Sequence, residues 1–127
     1  HMGTITALAI HGDKYASGSY DNTAKLWDLR RSVKPIFDLV GHKGPISHLH
    51  LSENIMVTAS KDTTIKIWDL RKNKVLHTLV GHSDWIKRVF VDRNNVYSAS
   101  MDHTIRMWDV SSGRSKRVFH GHRGAVN

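Results

Sequence analysis

Ten histidines are the first residues to weigh for chemistry in this 127-residue chain, which has no cysteine. Without cysteine there are no disulfides and no thiolate chemistry, a usage that fits a reducing compartment. His48 and His50 stand two apart, so on a strand both could face the same way. A third ligand is not evident beside them, and zinc is not expected. Neither an H-E-x-x-H pair nor a glycine-rich phosphate loop is present. The sequence therefore points to no metal, no cofactor and no catalytic residue.

A second kind of chemistry is electrostatic. Nineteen Lys and Arg against eleven Asp and Glu give a net charge of +8. Such a balance favours acidic partners: nucleic acid, anionic lipid or an acidic protein segment. The cations recur in clusters: Arg30-Arg31-x-x-Lys34, Arg71-Lys72-x-Lys74 and Arg114-x-Lys116-Arg117. Together they are nine charges able to hold a phosphate-rich or acidic partner in a salt-dependent way. The plainer reading is a set of solvated loops kept soluble by charge. No aromatic residues interleave with them, which weakens a nucleic-acid reading.

The elements that must position these residues are repeated. Gly-His occurs at 41–42, 81–82 and 121–122, 40 residues apart each time, and Trp-Asp occurs at 27–28, 68–69 and 108–109. A fixed period of this length is the mark of a repeat architecture. Each unit holds four short apolar-patterned runs. They are Ile5–Ile10, Lys14–Ser19, Thr23–Leu29 and Pro35–Val40; then Ile46–Leu51, Ile55–Ser60, Thr64–Leu70 and Lys74–Val80; then Trp85–Val91, Asn95–Ser100, Thr104–Val110 and Lys116–His120. Runs of this length, rich in Ile, Val, Leu and Thr and divided by turn residues, predict strands. No stretch sustains a 3.6-residue apolar period, so almost no helix is expected. In the first run of each unit the apolar residues step by three and then by two: Ile5, Leu8, Ile10; Ile46, Leu49, Leu51; Ile86, Val89, Val91. A strand alternates by two, so the longer step predicts a β-bulge in every unit. The basic clusters then fall in the loops between third and fourth strands, on one rim of the fold.

Four antiparallel strands per 40 residues, bracketed by Gly-His and Trp-Asp, resemble the WD40 repeat, and the resemblance covers essentially the whole chain. It implies an all-β fold of three four-stranded antiparallel blades of a WD40 β-propeller, incomplete as a single chain. The blades would be residues 3–43, 44–83 and 84–123, with 124–127 opening a further blade; His1-Met2 reads as a tag remnant. Blades of this family often carry a His–Ser/Thr–Asp–Trp hydrogen-bond chain. The matching residues are His42, Thr58, Asp62 and Trp68, then His82, Ser98, Asp102 and Trp108, and in the first unit Ser17, Asp21 and Trp27. A Trp N–H only donates, a hydroxyl relays, and a His bridges hydroxyl to carboxylate, so each buried polar group finds a partner. Ser, His and Asp in one set also invite a hydrolase reading. A catalytic Ser, however, bonds its His in an open cleft with oxyanion donors nearby, whereas this one would be engaged by a Trp in each repeat. The set is expected to be structural.

The family resemblance also implies where partners bind: the face carrying the d–a and b–c loops. The positions that fall there are Thr4, Thr6 and Tyr20; Pro45, Ser47 and Lys61; Trp85, Lys87 and Met101. Trp85 is the outlier, since Thr4, Pro45 and Ala125 hold the equivalent places. Tyr20, Lys61, Trp85, Lys87 and Met101 are the partner-binding candidates, with Trp85 read as an interface anchor or as packing on the neighbouring blade.

Propellers have about four to eight blades, and three leave exposed sheet faces. The chain is then a piece of a longer propeller, completed by the missing blades of its parent, or a homo-oligomer. Two chains would give six blades and are favoured; in such a head-to-tail pair His122 would complete the set of Ser17, Asp21 and Trp27. The expected function is a non-enzymatic scaffold binding a protein partner, in cytoplasm or nucleus, without a membrane span. The alternative is an anionic-ligand binder (phosphoinositide or nucleic acid) acting through the basic loops.

Overall fold

The computed structural model describes residues 3–28, 30, 37–72 and 74–120. Within them lie twelve strands and no helix. The first sheet holds β1 (Ile5–His11), β2 (Lys14–Ser19), β3 (Thr23–Asp28) and β4 (Phe37–Val40). The second holds β5 (Ile46–Leu51), β6 (Ile55–Ser60), β7 (Ile65–Asp69) and β8 (Lys74–Leu79). The third holds β9 (Ile86–Asp92), β10 (Asn95–Ser100), β11 (Ile105–Asp109) and β12 (Ser115–Phe119). In each sheet the strands pair antiparallel in chain order. The architecture is the expected one: all-β, in three four-stranded antiparallel sheets.

The third strands of the second and third sheets start and end a residue inside the expected runs where aspartates cap the turns, whereas β1 and β9 run one residue beyond theirs, to His11 and Asp92. Asp62 accepts hydrogen bonds from the Thr64 amide and hydroxyl, so Thr64 belongs to the turn before β7. Asp69 accepts from the Arg71 and Lys72 amides and ends β7 before Leu70. Such turns are what a short carboxylate two residues from an amide favours. The residue after Asp21, Asp62 and Asp102 takes left-handed backbone: Asn22 at φ 72°, Thr63 at 76° and His103 at 72°. For Asn this is mild; for β-branched Thr63 it is a strained choice.

The three-then-two spacing becomes geometry in all three sheets. The register of the first strand skips Thr6, Ser47 and Lys87 in turn, one residue per sheet. In the first two sheets the bulge turns the side chain toward the following sheet. Thr6 Oγ1 donates to the Ile46 carbonyl and Ser47 Oγ to the Ile86 carbonyl. A second bulge, on Leu76 opposite β7 and Lys116 opposite β11, recurs in two sheets.

The sheets stack face on face through two apolar layers. One joins Ala16, Ala24, Leu26 and Leu39 of the first sheet to Leu49, Leu51, Met56, Trp68 and Leu70 of the second. The other joins Val57, Ala59, Ile65, Ile67 and Leu79 of the second to Ile86, Val89, Val96 and Trp108 of the third. Fully burying one such aliphatic side chain contributes about 1.5–3 kcal/mol, so these layers hold the sheets together. At Gly18 the approach is closest: an added Cβ would lie 2.4 Å from Ile46 Cγ2.

Candidate functional site

The hydroxyl of Thr58 sits at the centre of the second sheet's polar set. Trp68 Nε1 donates to it at 2.8 Å, and it meets His42 Nε2 at 2.7 Å. His42 Nδ1 reaches Asp62 Oδ2 at 2.9 Å. The third sheet repeats this: Trp108 Nε1 donates to Ser98 Oγ at 2.9 Å, Ser98 meets His82 Nε2 at 2.7 Å, and His82 Nδ1 meets Asp102 Oδ2 at 2.8 Å. In the first sheet Trp27 Nε1 donates to Ser17 Oγ at 3.0 Å, and Asp21 accepts from the Thr23 amide at 2.9 Å. His122, expected to bear on that set, lies outside the described residues, as does all of 121–127.

Burial favours neutral His82 and pushes its pKa down against the opposing pull of Asp102. Its Nδ1–H then donates to the carboxylate, while Nε2 accepts a hydrogen bond from the Ser98 hydroxyl. Burial alone would raise the Asp62 carboxyl, but hydrogen bonds from His42, Thr64 and the Lys43 amide outweigh it and hold it well below the usual range. Asp102 follows the same pattern, with Thr104, His82 and the Ser83 amide as donors. Thr58, Ser98, His42 and His82 are all buried. The Ser–His–Asp order of a hydrolase is thus present without an open cleft at the hydroxyl, which a Trp already engages.

Above this layer three loops converge. Lys61 stands with its Nζ 4.2 Å from the centre of the Trp85 ring and 5.1 Å from that of Tyr20. It also donates to the Tyr20 hydroxyl at 3.1 Å. A cation over two aromatic faces is attracted by their quadrupoles, and the pairing ties together loops of all three sheets. Tyr20 is half-exposed, while Lys61, Trp85, Lys87 and Met101 are part-buried. Trp85 thus packs against Lys61 of the neighbouring sheet and keeps part of its surface open. The Lys61 contact depends on loop direction and had no signal in the sequence.

The basic clusters lie elsewhere. Arg71 and Lys72 are on a turn, Arg114 directly precedes β12, Lys74 opens β8, and Lys116 and Arg117 lie within β12; all are exposed. Arg30 is 3.5 Å from Asp28 and 3.8 Å from Asp13. Lys116 is 4.0 Å from Asp109 and donates to Asn95 Oδ1 at 2.6 Å. Arg31 and Lys34 lie outside the described residues.

His48 and His50 take different surroundings. His48 Nδ1 accepts the Val89 amide at 3.2 Å, across the sheet boundary. His50 meets the edge of Phe90, with ring centres 6.2 Å apart. Among the described residues no three His, Cys, Asp or Glu side chains come together as a metal site.

The comparisons with known proteins agree with this geometry. The family model described as "WD domain, G-beta repeat" matches residues 1–28 and 73–109, just over half of the chain. The chain belongs to the WD40-repeat family. A second model, "TEP-1 C-terminal beta-propeller", matches residues 42–80 of this WD40 chain. Among solved structures, the computationally designed Ika4 protein superposes with a TM-score of 0.91 at 34% identity, over 98% of this chain and 78% of that one. The WD40 beta propeller domain of Doa1 superposes with a TM-score of 0.84 at 32% identity, over 98% of this chain and 42% of that one. Curated relatives include the ribosome biogenesis protein WDR12 homolog of Anopheles gambiae, 50% identical over 32 residues, which are 25% of this chain and 8% of that protein. The Trichoplax adhaerens homolog is 38% identical over 56 residues, 42% of this chain and 13% of that protein. The chain thus matches only a small part of the length of these curated relatives. Among the described residues no helix is long and apolar enough to cross a membrane.

Proposed function

We propose that this chain is a non-enzymatic scaffold, a run of WD40 blades that recruits a protein partner through the rim of Tyr20, Lys61, Trp85, Lys87 and Met101. The observation that carries this reading is the Lys61 ammonium held between the Tyr20 and Trp85 rings, 5.1 and 4.2 Å from their centres. Aromatic anchors beside cations suit a partner segment that offers an apolar side chain next to acidic ones. The blades in this reading are residues 3–43, 44–83 and 84–123, with 124–127 beginning another. Their two outer faces call for cover, from further blades of a parent protein or from another copy. Relatives named as ribosome biogenesis proteins support a role within an assembly, in nucleus or cytoplasm.

The test is parallel affinity capture with the wild type, Trp85→Ala, and the triple variant Arg71→Ala, Lys72→Ala, Lys74→Ala, with bound proteins identified by mass spectrometry. The scaffold reading expects Trp85→Ala to lose a specific protein that the triple variant keeps. Loss in the triple variant alone, together with loss of binding to phosphoinositide vesicles or RNA, would instead support an anionic ligand on the basic loops. The acids beside Arg30 and Lys116 already offset part of that charge.

A further inference from the structure

The two boundaries between sheets share one kind of bond and differ in another. At each, a hydroxyl on the bulge of one first strand donates to a carbonyl of the next, Thr6 to Ile46 and Ser47 to Ile86. Neither group changes its protonation near neutral pH, so these bonds are indifferent to acid. The next residue along the strand is where the boundaries part. It is Ala7 on β1 and His48 on β5, which pair with Gly18 and Ala59 at the same register. Between the second and third sheets this histidine adds a bond: the Val89 amide of β9 donates to His48 Nδ1 at 3.2 Å.

An amide nitrogen only donates, so His48 Nδ1 must keep its lone pair and the ring proton sits on Nε2. An imidazolium carries N–H on both nitrogens and cannot accept. A proton at Nδ1 would therefore set one N–H against another and break the bond. Burial disfavours a charged His48, and Arg88 of β9 and His50 of its own strand repel one. Burial and His11 of β1 act on His50 in the same sense. Tyr97 of β10 lines a hollow together with His48 and Arg88. No carboxylate figures among the groups that act on His48.

A second histidine spans the same boundary at the opposite edge, with the opposite chemistry. His77 of β8 stands with Nε2 2.9 Å from the Ser111 carbonyl. There the ring donates, and an imidazolium would donate as well. Acid leaves the β8 edge tied while it strikes at the β5–β9 edge.

We propose that the boundary between the second and third sheets is a pH-sensitive hinge, in which protonation of His48 frees β9 from β5 while the His77 contact holds. Trp85 directly precedes β9, and its Lys61 neighbour belongs to the second sheet, so opening draws the two apart. The hinge rests on the His48 bond and not on the rim, so the Trp85→Ala capture result bears on the rim reading alone.

Its size follows from linkage. Closed, His48 is neutral; open, it has the ordinary histidine pKa of about 6.5. The open fraction then grows about 10-fold from pH 7.5 to pH 5.5. Amide hydrogen exchange followed by NMR reads this at Val89 as a protection factor, with the intrinsic pH dependence of exchange divided out. The wild type should lose about 10-fold in protection at Val89 over that range, with its circular dichroism unchanged. His48→Asn places near Nδ1 an amide oxygen that accepts but does not titrate, so protection should persist and stay level. His48→Ala copies Ala7 of the first boundary, so the fold should persist. Its Val89 protection should already be low at pH 7.5 and respond little to acid. Nitrogen chemical shifts should place the His48 ring proton on Nε2 at pH 7.5. A proton on Nδ1 instead would overturn the proposal, as would a level wild-type response or a His48→Asn response as steep as the wild type's. Val89 protection equal to that of the β6 amides at every pH would overturn it too, because the chain would then open only as a whole.

Discussion

Thr58→Val separates the hydroxyl of the buried network from the volume that carries it. Thr58 is fully buried, and its oxygen partners Trp68 Nε1 at 2.8 Å and His42 Nε2 at 2.7 Å. Valine keeps the shape and strands both nitrogens away from water. Each unpaired buried group costs about 1–3 kcal/mol, so the loss should be about 2–6 kcal/mol. Thr58→Ser does the reverse: it keeps the oxygen and gives up one buried methyl, at a cost of about 1 kcal/mol. Serine already serves at the equivalent Ser17 and Ser98. Urea unfolding followed by tryptophan fluorescence measures both variants, and total stabilities of about 5–15 kcal/mol make a gap of this size easy to read. If Thr58→Val is no more costly than Thr58→Ser, the network does not hold the blade and the structural reading of the Gly-His and Trp-Asp frame fails.

Three further outcomes are expected. Thr63→Asn should raise stability by about 0.5–1 kcal/mol in the same urea assay, because Asn tolerates the left-handed backbone at φ 76° better than a β-branched residue. Gly18→Ala should lower it by about 1–3 kcal/mol, since its Cβ would press on the Cγ2 and Cβ of Ile46. Stability measured against pH should fall from about pH 6.5 downward, because the unfolded chain takes protons that folded His82, His48 and His50, with lowered pKa values, do not. A second decline should begin near pH 4, as unfolded aspartates protonate while Asp62 and Asp102, held well below that range when folded, do not. A flat profile between pH 7 and 5 would contradict the buried, neutral state of His82.

Periodic features were legible in the sequence because their cause is local. A bulge displaces the apolar residue by one position, and the step from Ile46 to Leu49 records it in the pattern itself. The second bulge, at Leu76 and Lys116, left no such record, since β12 is exposed along its length and nothing forces its residues to alternate. The left-handed turn positions carry no common residue type, since Asn22, Thr63 and His103 occupy them in turn, each held there by the aspartate before it. Trp85 could be singled out as an unusual residue at its place. Its pairing with Lys61 and Tyr20 depends on how three separate loops meet, which a repeat pattern does not encode.

Hydroxyl-radical footprinting of the chain with its captured partner tests the account most directly, because the rim carries side chains that react strongly with the radical. The account predicts protection of Tyr20, Trp85 and Met101 on adding the partner, with the turns at Arg71–Lys72 and Ser111–Arg114 unchanged. Protection of those turns with Trp85 still reactive would contradict it.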